Sequence, residues 1–576
     1  MHLHTNGQQT TIYIVAYVIL KNSFQKHRSR ESELKYRDVI IQTIYGYSVI
    51  TVLIHVNHLN MPQTIGNKLK ENFKSSSHRF FVGLCQALII AVLILFAFFV
   101  YVSHNSHCQP AECIIPTQRL FQPEPIVHSS RKTETSSSDS SPPVPPPDPA
   151  HPQPPSSTNI SHLVFGISAA TKSWKNRQSY IESWWKPNVT RGIVFFDDPP
   201  TKDLLPWPSS SPPYKVSENA TEFKVYKKHV KPYVIRIVRT VLELFREVKD
   251  HSGVRWYIMG DDDTVFFLEN LLEVLRKYDH RKYYYIGSNS ECTKSNYDFS
   301  FDMAYGGGGY ALSYPLAAVL VKNLDACINR YPYLYASDQI LQFCISELGV
   351  SVTLEKGFHQ LDLVDDISGL LSAHPQSPLV TLHHLDIALP IFPRLPRNKS
   401  LEHFMAAASF DETRMLQQTI CYHKEMRWAF SISWGYSAHI YELLLPVSIL
   451  RKPLETFTPW SLKRRPPDYM FNIRPNEPKQ PCDAPHIFYF ESIEKNTTSN
   501  VIVANYVRLA KRLAKTCPLT KRSADYISRI EVVSPGVKPK KDENRGECCD
   551  VTQVDNSSTA KVNIRTCKKD ELVAPP

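Results

Sequence analysis

From about residue 160 to residue 350 short apolar runs alternate with helical spacings. His162 to Ala169, around LVFGIS, reads as a buried strand, and Gly192 to Phe196 as a second. Between them, Lys172 to Trp185 carries Trp174, Tyr180, Ile181, Trp184 and Trp185 at helical spacing. This strand–helix–strand order with short apolar strands is the pattern of a parallel sheet covered by helices. After Pro232, residues Val234, Ile237, Val238, Val241, Leu244 and Phe245 mark another helix. Trp256 to Met259 form an apolar strand that Gly260 is expected to end, and Leu268, Leu271, Leu272 and Leu275 mark a helix directly behind it. Further helices are expected from near Pro315 and over Ile340 to Leu348. Beyond about residue 400, segments such as Trp428 to Tyr436 and Tyr469 to Pro475 predict a β-rich extension. The tail from Ser534 is polar and basic until the Cys548 region.

Ahead of the alternating region the pattern changes. Phe80 to Val102 is apolar but for Gln86, long enough to cross a bilayer, with Lys68, Lys70, Lys74, His78 and Arg79 before it. The positive-inside rule puts residues 1–79 in the cytosol and everything after Val102 in a lumen. Residues 103–158 follow as a stem, of which Ser136 to Ser157 is nearly all Ser, Pro and Asp and cannot bury a core. The globular part is expected as a domain over 159–400 and an extension over 401–576. Residues 1–60 fit this layout poorly. Thr11 to Leu20 is too short to span, Val39 to Leu59 carries Gln42, His55, Asn57 and His58, and Met61 opens the basic tail that precedes the anchor. They read as an alternative N-terminus.

The net charge of +11 over 576 residues is diffuse, and no basic stripe is interleaved with aromatics, so a nucleic-acid partner is not expected. Six Asn-X-Ser/Thr sequons, at Asn159, Asn188, Asn219, Asn398, Asn496 and Asn556, all follow the anchor, in keeping with a luminal body. Of 12 cysteines only Cys85 lies within the anchor. In an oxidising lumen most of the others should pair, one should be left over, and neighbours Cys548 and Cys549 should bond to different partners.

The chemistry concentrates in RWYIMGDDDTVFF, Arg255 to Phe267. Asp261, Asp262 and Asp263 repel one another, and a hard divalent cation is what offsets such charge, so Mn²⁺ or Mg²⁺ is expected there. The alternative is a solvated acidic turn capping the next helix. A strand-to-helix connection is also where open α/β sheets place ligands. Gly306 to Gly309, in YGGGGYALS, either let backbone amides approach a sugar or phosphate or form a tight turn. In YLYASDQ, Ser337 or Asp338 can cap a helix, and Asp338 can equally serve as a general base. His359, His383 and His384 are candidate imidazole ligands. If the last two are extended they point to opposite faces, so at most one should face a metal.

The ordered series WYIMGDDDT, YYYIGSNSE, MAYGGGGYALS, YLYASDQ, LGVSVTLEKGFHQ, SPLVTLHHLDIALPIFP and ICYHKEMRWAFSISWG resembles the plant Fringe-related glycosyltransferase-like proteins, relatives of Fringe and the β-1,3-galactosyltransferases. The likeness runs from about Ser161 to Tyr489, with RGECCD and RTC near the end. It implies a GT-A fold with a Rossmann-like mixed sheet, a type II Golgi anchor, and inverting, Mn²⁺-dependent transfer of a hexose or N-acetylhexosamine from a UDP-sugar to a glycan hydroxyl. By position it makes Asp263 the direct metal ligand with Asp261 beside it. It sets Asp262 nearer the donor's ribose or sugar, Gly307, Gly308 and Gly309 beside the sugar, and Asp338 as base. His384, then His383, then His359 match the metal-binding histidine. The family usually has two adjacent acids at the base position, where Gln339 follows Asp338 here. The competing expectation is a transferase-like lectin or scaffold without turnover. A two-metal hydrolase would need more clustered carboxylates than the chain offers.

Two outcomes are expected from this layout. Removing residues 1–60 should leave membrane insertion and folding intact. Glycan mapping after expression in a secretory system should find Asn219 and Asn398 modified, whereas bare side chains at both would reverse the orientation.

Overall fold

In the computed structural model the structure describes residues 157–576, apart from 224, 226–232, 461–466, 477–480, 497, 499, 511–516, 518–522, 537–544 and 554–557. The segment at 80–102 therefore lies outside the described residues, as do Cys85, Cys108 and Cys113. Among the described residues no helix is long and apolar enough to cross a membrane. Residues 146–576 form one compact unit.

The first half builds a mixed sheet from β1 (Leu163–Ala169), β2 (Gly192–Phe196), β3 (Tyr214–Val216), β4 (Trp256–Asp261), β6 (Tyr285–Gly287), β7 (Tyr310–Ser313) and β8 (Val352–Leu354), with the two-residue β5 (Val265–Phe266) outside it. Its order is β3-β2-β1-β4-β7-β6-β8. The β1–β4 half is parallel, as the alternating pattern predicts, and β7 runs antiparallel to both β4 and β6. Strand order reverses between β1 and β4, so a crevice opens at their C-terminal ends. Gly260 does not end β4, which continues to Asp261. A Cβ there would come 3.0 Å from Thr264 Oγ1 and 3.1 Å from the Phe266 ring, so any larger residue would need those neighbours to shift.

Both sheet faces are buried, which is why these strands are apolar runs rather than alternating ones. Leu163, Phe165 and Ile167 enter one apolar cluster, and Val164, Tyr257 and Met259 the other. The covering helices are α1 (Thr171–Glu182), α2 (Tyr233–Glu247), α3 (Leu268–Leu275), α4 (Thr293–Asp298), α5 (Tyr314–Arg330) and α6 (Ser337–Ser346). A disulfide between Cys327 and Cys344 ties α5 to α6. Short strands β9 (Leu363–Asp365) and β10 (Thr381–Leu382) flank α7 (Ser368–Ser372). Then α8 (Arg397–Asp411) lies across the expected boundary at residue 400, and its Phe404 ring meets Phe267 on one side and Tyr436 on the other.

The extension is a sheet of eight strands. They are β11 (Gln418–His423), β12 (Trp428–Ser433), β13 (Ser437–Tyr441), β15 (His486–Asn496), β16 (Val501–Arg508), β17 (Arg529–Pro535), β18 (Cys548–Gln553) and β19 (Thr559–Arg565), while β14 (Phe457–Pro459) pairs with β9 instead. Alternation fixes which face is inside: Ile530, Val532, Val562 and Ile564 are buried, with polar residues between them. The sheet curls until edge strands β11 and β18 meet, where Cys421 bonds to Cys549. Cys548 bonds to Cys567, so the adjacent pair does take two partners, and Cys482 joins Cys517. Among the described residues Cys292 is free and buried. The sequon asparagines 159, 188, 219, 398 and 496 are all exposed, and Asn556 lies outside the described residues.

Because Cys421 and Cys549 are 128 residues apart and staple the open seam, the double change Cys421→Ser with Cys549→Ser should cost about 2–5 kcal/mol. Thermal melts of the full chain in detergent would read this as a lowered Tm.

Candidate metal and nucleotide-sugar site

The acidic triplet sits at the crevice, and strand register brings its partners to it. Antiparallel pairing of β5 with β10 sets Val265 opposite Leu382, so the residue after β10, His383, falls beside the triplet. His383 Nε2 lies 3.1 Å from Asp263 Oδ1. Its Nδ1 donates to the Gln360 carbonyl at 3.1 Å, which aims Nε2 at Asp263. His384 has φ 54°, a left-handed turn rather than extended chain. The expectation that the two histidines point to opposite faces therefore fails, because β10 has already ended at Leu382. Their rings lie 3.7 Å apart, and Asp263, His383 and His384 bring ligand atoms within 4.8 Å of one another. Trp460 stacks on the outer face of His384.

That trio fits a divalent cation. Both Asp263 oxygens are buried and accept no well-directed hydrogen bond, an expensive arrangement unless a cation takes them. Two protein cations now sit beside them: His383, and Arg177, whose Nη2 is 3.2 Å from Asp263 Oδ2. Burial pushes the Asp263 carboxyl up, but His383 and Arg177 outweigh it and hold it well below the usual carboxylate range. Burial pulls His383 down, yet the charges of Asp263 and Asp261 raise it to about 9. A proton and a guanidinium thus mark where positive charge is wanted.

The other two carboxylates have different surroundings. Asp262 accepts from Arg177 Nη1 at 2.7 Å, Ser173 Oγ at 2.8 Å and the Ala170 amide at 3.3 Å, which ties it to the start of α1. Asp261 is not in the ligand trio; it lines a pocket with Gly306, Tyr310 and Asp338. Burial raises its carboxyl to about 7. Nor does the triplet cap the next helix. Glu412 does, accepting from the amides of Glu269 at 2.6 Å and Asn270 at 3.0 Å.

The glycines separate the two halves of the site. A Cβ on Gly306 would meet Asp338 Oδ1 at 2.6 Å, and one on Gly307 would meet His383 Cε1 at 2.1 Å. The loop is pinned by Thr264 Oγ1 donating to the Gly307 carbonyl and Gln360 Oε1 accepting from the Gly308 amide at 2.7 Å. Gly309 has φ +80° and closes the turn on Gly306. Asp338 stands in the first turn of α6, but Ala336 is the N-cap and no side chain caps the helix, so the capping role proposed for Ser337 or Asp338 is not what they do. Burial raises the Asp338 carboxyl to about 6, although its side chain still reaches solvent at the pocket mouth. Gln339 donates to the Phe299 carbonyl at 3.0 Å.

His359, the third candidate ligand, is elsewhere. Its Nδ1 meets Glu291 at 2.8 Å and its Nε2 meets His374 at 2.8 Å in a buried chain, so it is fully engaged away from the trio. Arg177 was not foreseen. It also binds Asp386 at 2.6 Å and is the one cation to touch three carboxylates here. The signal was present: Arg177 falls three residues after Trp174 and four before Ile181, on the buried stripe of α1.

Residues 158–387 match the family described as Fringe-like, and residues 295–549 match one described as a protein of unknown function, DUF604. The chain carries a Fringe-like domain. A β-1,3-glucosyltransferase of Mus musculus is 30% identical over 126 residues, which is 22% of this chain and 24% of the mouse protein. The chain thus matches about a quarter of that relative's length. Among solved structures, a glycosyltransferase involved in glycosylation of the PBCV-1 major capsid aligns at 10% identity and TM-score 0.23, covering 42% of this chain and 98% of that one. Core-mannan synthase A from Aspergillus fumigatus, in its Mn/GDP form, aligns at 9% identity and TM-score 0.23, covering 34% and 72%.

Two substitutions separate the roles of the trio and its support. Gly307→Ala should push the His383 ring off Asp263 and weaken Mn²⁺ binding about 10–100-fold, read by electron paramagnetic resonance of free Mn²⁺. Removing Asp263 might be expected to relieve repulsion within the triplet and stabilise the metal-free protein. The geometry reverses that sign: a carboxyl held below its unfolded range adds stability above that range and loses it as pH falls. Asp263→Ala should therefore lower the metal-free stability at neutral pH by about 1–3 kcal/mol, read as a lower Tm.

Proposed function

We propose that the chain is a metal-dependent glycosyltransferase of GT-A type that moves a hexose or N-acetylhexosamine from a UDP-sugar to a glycan hydroxyl with inversion, forming a β-1,3 linkage. The observation that carries this reading is the pair of chemistries on either side of the glycine loop. A cation trio meets Gly307, and a carboxylate with a raised pKa meets Gly306, one residue away. The Fringe-like domain supports the same reading.

Asp263, His383 and His384 would hold Mn²⁺ or Mg²⁺, and the cation would neutralise charge developing on the departing diphosphate. Arg177 fixes Asp262 and Asp263 and offers guanidinium charge at the same place. The glycine loop, lacking side chains, lets Asp338 and His383 close on neighbouring residues of one turn, and the donor sugar would lie beside that turn. Asp338 takes the proton from the acceptor hydroxyl as that oxygen attacks the anomeric carbon. The bond to the nucleotide breaks on the opposite face, so a single displacement inverts the centre. Gln339 is bonded to the Phe299 carbonyl, which leaves Asp338 as the acid at this position that faces the pocket. The sequons and the segment at 80–102 support placing the protein in the Golgi membrane, type II, with this domain luminal.

The reading is tested by UDP release from a UDP-sugar panel with and without Mn²⁺, beside calorimetry of UDP. Asp263→Ala should abolish Mn²⁺-dependent UDP binding, and unchanged affinity would overturn the metal assignment. Asp338→Asn should keep UDP affinity and lower turnover about 10²–10⁴-fold. Because the base must be ionised, kcat/KM should rise with pH through about 6 and level off above it. UDP binding with no turnover on any donor would favour the lectin or scaffold alternative.

A further inference from the structure

Beside the Asp338 pocket the chain leaves apolar rings in water. Tyr335 is 45% exposed and Phe301 is 50% exposed. Tyr335 is not an isolated surface ring. Phe299 lies between Tyr335 and Tyr305, with ring centroids at 5.8 Å and 6.5 Å. The backbone holding them is pinned: Asn289 Nδ2 donates to the Phe301 carbonyl at 3.0 Å and to the Met303 carbonyl at 2.9 Å. Gln339, next to Asp338, donates to the Phe299 carbonyl. The backbone that carries Phe299 is therefore tied to the residue next to the candidate base.

Tyr305 adds a second and independent observation. It is 5% exposed, and its hydroxyl has no hydrogen-bond partner. A buried hydroxyl without a partner costs free energy, so its retention calls for a ligand that completes it. It lies in the field of Asp362 and Asp338, and burial first, then those carboxylates, raise its pKa. It thus remains a hydrogen-bond donor at neutral pH.

We propose that Tyr335, Phe299 and Phe301 form the acceptor subsite, a shelf that receives the C–H face of a pyranose while Tyr305 Oη binds one of its hydroxyls. This rests on the transferase reading above and specifies the acceptor as a sugar ring rather than a peptide side chain. A pyranose fits because it has one face of C–H groups for an aromatic ring and an equator of hydroxyls. Tyr335 precedes the pocket-lining Ser337 and Asp338 by two and three residues, and Tyr305 directly precedes Gly306, which lines the same pocket, so a sugar seated on the shelf would lie next to the base. Pinned aromatic rings bind at little entropic cost, having few torsions left to fix.

The test uses the full chain in detergent and methyl α- and β-glycosides of the common hexoses and of xylose as probes. Saturation-transfer NMR reads binding with and without UDP and Mn²⁺, and calorimetry reads UDP in the same samples. At least one glycoside should bind the unaltered protein, receiving saturation mainly through one C–H face. Tyr335→Ala and Phe301→Ala should each weaken it about tenfold. Tyr335→Phe should bind within about twofold, since it keeps the ring. Tyr305→Phe should weaken it about five- to tenfold, since it loses only the hydroxyl. If no glycoside binds under either condition, or if the alanine variants bind like the unaltered protein, the shelf is overturned. Loss of UDP binding with glycoside binding intact overturns the transferase reading and leaves the shelf standing.

Discussion

Three neighbouring carboxylates at the end of one buried strand are the constraint around which this domain is organised. Their mutual repulsion grows as water is excluded, so the fold must supply positive charge at that point. Arg177 comes from the first helix, and His383 from a chain segment 120 residues later. Each occupies a position that would otherwise be apolar core. The triplet consequently divides its labour. Asp262 anchors α1, Asp263 joins His383 and His384 in the trio, and Asp261 turns toward the pocket of Asp338.

Sheet geometry delivers these groups without long flexible arms. Parallel β1 and β4 bring the start of α1 beside the triplet, antiparallel β7 lays the glycine loop along β4, and the β5–β10 pairing delivers His383. A shift of one residue in the last pairing would turn His383 away from Asp263. The side chains that hold these registers are therefore as much part of the site as its ligands. Thr264, Thr381 and Gln360 act this way, each bonding the glycine loop.

Much of this was legible in the chain. The parallel strands announced themselves as apolar runs because both their faces are covered, and the β-rich extension showed in its aromatic segments. The triplet, the glycines, Asp338 and the histidine pair were all visible as residue types. What could not be read was conformation at single residues. The left-handed backbone at His384 lets two adjacent rings serve one site, and extended-chain reasoning forbids that. The helix cap was misread because its acceptor, Glu412, lies more than 140 residues from the amides it serves. Arg177 escaped notice because a charge on an apolar stripe has meaning only once its partners are known.

The closed seam of the C-terminal sheet bears on how the chain is made. Strands β11 and β18 are the two sheet edges, and synthesis separates them by more than a hundred residues. Until the later one emerges, β11 is an uncovered edge, without the packing and the Cys421–Cys549 bond that β18 brings to it. The nascent protein must therefore spend that interval with an adhesive edge exposed, and a product stopped before residue 548 would keep it permanently. Folding thus has a natural checkpoint in this molecule: the order of arrival of its strands, with the Cys421–Cys549 bond recording that the two edges have met.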